Sequence, residues 1–153
     1  MSAVTILVVD DAPHWRKFVG FILRIDPALE TICEASDGAC AVERAKELQP
    51  AIVLLDISLP DICGIEAGRR ILKHSPSSKI IFVSRESEIE VIQQAIDLGA
   101  VGFVSKLDAG SQLVTAIHSA IRGQRFLSSS LPLQRVQNTS GALQEVSIRT
   151  WEG

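Results

Sequence analysis

An α/β fold, a doubly wound parallel sheet with helices on both faces, is what this sequence predicts, and two observations carry the expectation. Short runs rich in Ile, Val and Leu recur near residues 4–9, 30–35, 51–55, 79–84 and 101–104. They lack the polar alternation of strands with one wet face, so they read as strands buried on both sides. Between them lie stretches with apolar residues at helical spacing, and this alternation argues right-handed crossovers joining five parallel strands. At 153 residues the chain suffices for one substantial core and does not require two domains.

In chain order, Thr5-Ile6-Leu7-Val8-Val9 forms the first strand and ends in Asp10-Asp11. The first helix spans about 13–25, with Pro13 suited to its opening turn and Phe18, Phe21, Ile22 and Ile25 at helical spacing. The second strand leads to a helix near 38–48. The third strand, Ala51-Ile52-Val53-Leu54-Leu55, ends in Asp56, and Pro60 and Gly64 mark the turn into a helix near 64–74. Lys79-Ile80-Ile81-Phe82-Val83 ends in Ser84, before a helix near 87–98. Val101-Gly102-Phe103-Val104-Ser105 runs into Lys106, and the last helix, near 109–122, carries the stripe Leu113, Val114, Ile117, Ala120 and Ile121.

Composition excludes several classes. A formal net charge of -3 leaves no basic footprint for nucleic acid. No apolar run approaches the ~20 residues that span a bilayer, and no charged-then-apolar leader is present, so a cytoplasmic protein without membrane contact is expected. Cys33, Cys40 and Cys63 are an odd set without metal or disulfide spacing, and reduced thiols are expected. His14, His74 and His118 also lack ligand spacing and suit solvent-facing or helix-end roles. Trp15 suits packing of the first helix, near enough to Asp11 to act as a fluorescence reporter.

The strand ends carry the chemistry. Open parallel sheets bind ligands at their carboxyl edge, and here that edge collects Asp10, Asp11, Asp56, Ser84 and Lys106. Clustered carboxylates repel one another unless a cation joins them. A hard ion with oxygen ligands suits such a cluster, which points to Mg2+ with Asp11 and Asp56 as direct ligands.

Those five positions, in that order over roughly residues 3–126, resemble the receiver domain of bacterial two-component response regulators, and most of all the LuxR/NarL-type group. The resemblance implies a flavodoxin-like (βα)5 sheet of order 2-1-3-4-5 and a phosphoprotein in phosphorelay signal transduction. Asp56 would be the phosphoacceptor, forming an aspartyl phosphate with a phosphohistidine on a sensor histidine kinase or phosphotransfer protein as donor. The resemblance adds the Ser58 backbone carbonyl to the Mg2+ ligands and gives Asp10 a contact through water. Lys106 and Ser84 would bind phosphoryl oxygens, and Ser84 and Phe103 would form the conformational switch. No enzymatic activity is implied beyond Mg2+-dependent self-phosphorylation and slow autodephosphorylation.

Departures from the family pattern are Arg85, a long cation where a small residue is usual and hence a candidate modulator of access, and Leu107 in place of the common Pro after Lys106. The receiver is expected over 1–126, and 127–153 reads as a linker-like tail. Gln124 to Leu131 resembles the exit towards a helix-turn-helix domain in LuxR/NarL-type transcription regulation, but Pro132 to Gly153 is too short and too polar for that module. Direct DNA binding by this chain is therefore not expected, and the output partner is unspecified. Apolar residues of the first and last helices permit a homodimer. Two other readings stay open: a degenerate receiver acting only as a protein-interaction module, and a flavodoxin-like ligand binder. A phosphate-cradling loop would be needed for the latter, where Asp10-Asp11 instead repels phosphate.

Overall fold

The computed structural model describes residues 3–86 and 88–132. Among these, strands β1 (Val4–Val9), β2 (Leu29–Ala35), β3 (Ile52–Leu55), β4 (Lys79–Ser84), β5 (Gly102–Ser105) and β6 (Phe126–Leu127) alternate with helices α1 (Pro13–Leu23), α2 (Gly38–Leu48), α3 (Gly64–His74), α4 (Ile89–Leu98) and α5 (Ala109–Ile121). All strand pairs are parallel, in the order β2-β1-β3-β4-β5-β6. The expected five-stranded sheet is thus present and is extended by the two-residue β6, which belongs to the segment that reads in sequence as an exit.

Successive strand residues point to opposite faces, and the sheet divides its apolar residues accordingly. Leu7, Val9, Val53, Leu55, Ile80, Phe82 and Phe103 face α2, α3 and α4. Ile6, Val8, Ile52, Leu54, Ile81, Val83 and Val104 face α1 and α5. Burial on both sides explains why these strands read as unbroken apolar runs.

The apolar stripe expected for α1 is displaced. Val19, Ile22 and Leu23 enter the core, with Trp15 packed against the same cluster one turn earlier. Phe18, Phe21 and Ile25 form a neighbouring stripe that stays exposed, at 42%, 68% and 75%. The helix carries apolar residues around more of its circumference than the sheet covers, so of the four residues that spacing selects only Ile22 is buried.

The boundary expected at residue 126 falls inside the packed unit. β6 pairs with β5, and Leu131 is 5% exposed within the core cluster that holds Phe103. The remainder of the expected tail, 133–153, lies outside the described residues.

The turn after β3 is fixed by close approach. A Cβ on Gly64 would stand 2.0 Å from the Asp56 carbonyl oxygen and 2.6 Å from the Ile57 Cα, while the Gly64 N–H donates to the Ile57 carbonyl at 2.7 Å. The same turn is pinned to the start of α2, where both Asp61 carboxylate oxygens accept N–H groups, from Gly38 at 2.8 Å and Ala39 at 2.9 Å. These bonds hold the Asp61 carboxyl below its ordinary value. Gly20, inside α1, has open space around it, with nothing within 4 Å of where a Cβ would stand. Gly64→Ala is therefore expected to destabilise by more than about 3 kcal/mol, whereas Gly20→Ala should stabilise by about 0.5–1 kcal/mol by reducing the backbone entropy of the unfolded chain. Urea melts of the two variants beside wild type check both signs.

Candidate functional site

Parallel register brings the strand ends together. Val9 pairs with Leu55 and Ser84 with Ser105, so the residues that follow, Asp10, Asp56 and Lys106, meet at one edge. The Asp56 N–H donates to the Val9 carbonyl at 3.1 Å and the Lys106 N–H to the Ser84 carbonyl at 2.9 Å, which extends the ladder into the site.

Asp10 and Asp56 are buried, while Asp11 is exposed. One carboxylate oxygen of each lies within 4.8 Å of the other two. The Lys106 ammonium donates to Asp10 Oδ2 at 2.6 Å and to Asp56 Oδ2 at 3.2 Å, with its side chain 11% exposed. It also lies 4.8 Å from the centre of the Trp15 ring, so the cation has an aromatic face as well as two anions. The second oxygens are turned to the backbone. Asp10 Oδ1 accepts the Ala12 N–H at 2.9 Å, and Asp56 Oδ1 the Ser58 N–H at 3.3 Å. Arg16 donates to the Asp10 carbonyl at 2.6 Å and to Glu34 at 2.9 Å, tying the first strand end to α1 and β2.

Burial pushes the Asp56 carboxyl up, to about 6 from an ordinary 3.8; the Lys106 charge opposes this and the Asp10 charge adds to it. The buried carboxylate therefore retains an unmet demand for positive charge.

These groups line a pocket of about 370 Å³ together with Ser58, His14 and Arg85. The sequence assigns His14 only a solvent-facing or helix-end role; it is exposed, and it stands on the pocket rim. Its position, three residues after Asp11 and one helical turn from the acids, is the available signal. Ser84 is brought to the edge but does not line the pocket: it is buried, and its Oγ accepts the Glu86 N–H at 3.0 Å. Phe103 is fully buried, its ring centre 6.1 Å from that of Phe82. Sequence reasoning misses Arg16 and Asp61, whose partners lie in other elements.

The sequence matches the family model for the response regulator receiver domain over residues 6–118. The chain belongs to this family. It is similar to the transcriptional activator protein ExaE of Pseudomonas putida, 32% identical over 129 residues that cover 84% of this chain and 60% of that protein. It is also similar to the nitrate/nitrite response regulator protein NarL of Escherichia coli K12, 32% identical over 127 residues that cover 83% of this chain and 59% of that protein. The chain thus spans about 60% of the length of these relatives. A crystal structure of a LuxR-family two-component response regulator from Aurantimonas sp. SI85-9A1 superposes with a TM-score of 0.82 at 28% identity, covering 95% of this chain and 99% of that one. The receiver is a signalling module with the acidic pocket of phosphoaccepting response regulators, and its relatives include LuxR/NarL-type regulators. No helix among the described residues is long and apolar enough to cross a membrane.

The receiver's raised Asp56 carboxyl has a consequence for stability. The native state binds the Asp56 proton more tightly than the unfolded chain does, so this group lowers stability as pH rises from 3.8 towards about 6. In EDTA, Asp56→Asn should be more stable than wild type above about pH 6, by roughly 1–3 kcal/mol, with the gap closing as pH falls to the ordinary carboxyl range. Denaturant melts on either side of that pH check the sign.

Proposed function

We propose that this chain accepts a phosphoryl group on Asp56 from a phosphohistidine of a sensor histidine kinase or phosphotransfer protein, and that the resulting aspartyl phosphate switches its conformation. The observation that carries the reading is the buried Asp56 carboxylate at the floor of a pocket whose walls supply two further carboxylates and one ammonium. The oxygen-only donor set Asp10, Asp11 and Asp56 fits a hard divalent cation, and the raised Asp56 carboxyl supports one. Asp11 and Asp56 would hold Mg2+ directly, with the Ser58 carbonyl, and Asp10 through water. Bound there, Mg2+ supplies charge neutralisation for the phosphoryl oxygens.

An Asp56 oxygen forms the new bond to phosphorus as the bond to the donor imidazole breaks, and the imidazole nitrogen leaves with the electron pair. Lys106, already within reach of Asp56 Oδ2, pairs with one phosphoryl oxygen. Ser84 gives up its role as acceptor for Glu86 and turns its hydroxyl to another oxygen, while Phe103 takes the vacated space. One charge-assisted hydrogen bond is worth ~1.5–3 kcal/mol, but moving a two-state protein from 1:99 to 99:1 takes ~5.5 kcal/mol. Ser84, Lys106 and the repacked Phe103 therefore share the switching free energy. The exposed Phe18, Phe21 and Ile25 stripe offers an apolar face through which a homodimer would form. The output partner and, in the whole protein, the output activity follow from what the receiver is joined to.

Acetyl phosphate should add one phosphoryl group in Mg2+ and none in EDTA, and Asp56→Asn should take none; intact-mass spectrometry reads all three, and an adduct on the variant would sink the assignment. Ser84→Ala and Lys106→Ala should still accept the group while losing the amide chemical-shift changes that wild type shows. Arg85 is exposed at the pocket mouth, where its bulk restricts the path of an attacking water. Arg85→Ala should therefore lose its phosphoryl group faster than wild type, and an equal or slower decay would leave Arg85 without a shielding role.

A further inference from the structure

The turn that carries Lys106 is held from outside the sheet by the chain that leaves it. The Phe126 N–H donates to the Val101 carbonyl at 3.0 Å and the Ser128 N–H to the Phe103 carbonyl at 3.1 Å, so the exit segment lies along the open edge of β5. Ser128 is fully buried, and its hydroxyl accepts the Ser105 N–H at 2.8 Å, one residue before Lys106. Two residues after Lys106, the Asp108 carboxylate accepts the Ser130 N–H at 2.8 Å and its hydroxyl at 2.6 Å. Within the turn, Asp108 N–H donates to the Ser105 carbonyl at 2.8 Å and Leu107 N–H to Ser105 Oγ at 3.2 Å. Gln112 and Ser129 exchange two more hydrogen bonds, at 2.7 and 3.0 Å, and Leu131 enters the core beyond them.

We infer that Ser128 and Ser130 are positioning residues for Lys106, and that the exit segment is a strap whose docking sets where the ammonium stands between Asp10 and Asp56. The strap bonds both flanks of a short turn and leaves Lys106 itself free to reach inward. Its anchor at Ser128 is dry, so loss of that hydroxyl strands a buried backbone donor. Burial, the largest influence on Asp108, pushes its carboxyl up, yet the bonds from Ser130 and Ser128 bring it below its ordinary value, which marks an ionised anchor. Finally, Leu107 is 88% exposed and contributes no packing that would hold the turn from within.

Coupling between two sites is reciprocal. A phosphoryl group that draws Lys106 must therefore act on the strap with the free energy by which the strap acts on Lys106. The inference rests on the phosphoacceptor reading for that consequence alone, since how Lys106 is held is a property of the resting chain.

Trp15 supplies the test, because its ring faces the ammonium. In a Trp151→Phe background Trp15 is the sole tryptophan. Lys106→Met gives the reference shift in Trp15 emission. Ser128→Ala and Ser130→Val should shift emission in the same direction, Ser130→Thr, which keeps the hydroxyl, should match wild type, and neither loss variant should add a shift when Lys106 is already Met. Ser130 is exposed, so its variants fold even if Ser128→Ala does not. Emission unchanged in Ser130→Val while Lys106→Met moves it, or a Ser130→Val shift undiminished in the Lys106→Met chain, would overturn the inference. Mass spectrometry with acetyl phosphate on the same samples separates the two readings, since a wild type that takes no phosphoryl group defeats the phosphoacceptor assignment and leaves the emission comparison intact.

Discussion

Burying Asp10 beside Asp56 sets two like charges in surroundings that penalise each of them, and the Lys106 ammonium, bonded to both, is the counter-charge that makes the arrangement tenable. Most of the surrounding architecture serves to deliver these three groups to one point. The order of strands places β1 and β3 side by side, so the first two acids arrive on adjacent strand ends. The parallel β4–β5 pair then brings the lysine in from the far side of β3. Burial raises the Asp56 carboxyl more than the single Lys106 charge lowers it, and the neighbouring Asp10 adds to the rise, so the pocket still favours positive charge.

Local geometry at the edge is over-determined. Gly64 lets the loop after β3 pass against its own backbone, and Asp61 fastens that loop to the first turn of α2, where unpaired N–H groups and the helix dipole favour an anion. Arg16 does the same for the end of β1, and the exit segment for the end of β5. Each strand end that carries a charged group thus has an anchor in a different element. A reactive side chain held in this way loses little orientation when a ligand arrives.

The strands and their terminal residues are legible in the sequence because strands buried on both faces leave continuous apolar runs, and the polar residue that ends each run is conspicuous. Asp10, Asp11, Asp56 and Lys106 stand out by that signal alone. Ser84 is placed on the right strand end, but its hydroxyl bonds Glu86, a choice between local backbone donors that no spacing reveals. The α1 stripe is misjudged because Phe21 and Ile25 are as apolar as Val19 and Leu23, and only the sheet decides which set is covered. The serines at 128–130 read as linker, since their partners are Ser105, Asp108 and Gln112, distant in sequence and without period.

The separation between Lys106 and the acids it joins also has a meaning in time. Lys106 lies 96 residues beyond Asp10 and 50 beyond Asp56. A chain made from its amino terminus exposes both acids to each other well before their cation has been synthesised. Until then, drawing β1 and β3 into register means bringing two carboxylates together uncompensated, and the nascent pair must take up a proton or a metal ion, or wait. Closure of the acidic edge thus waits on residues made after β5, first Lys106 and then the serines that hold its turn.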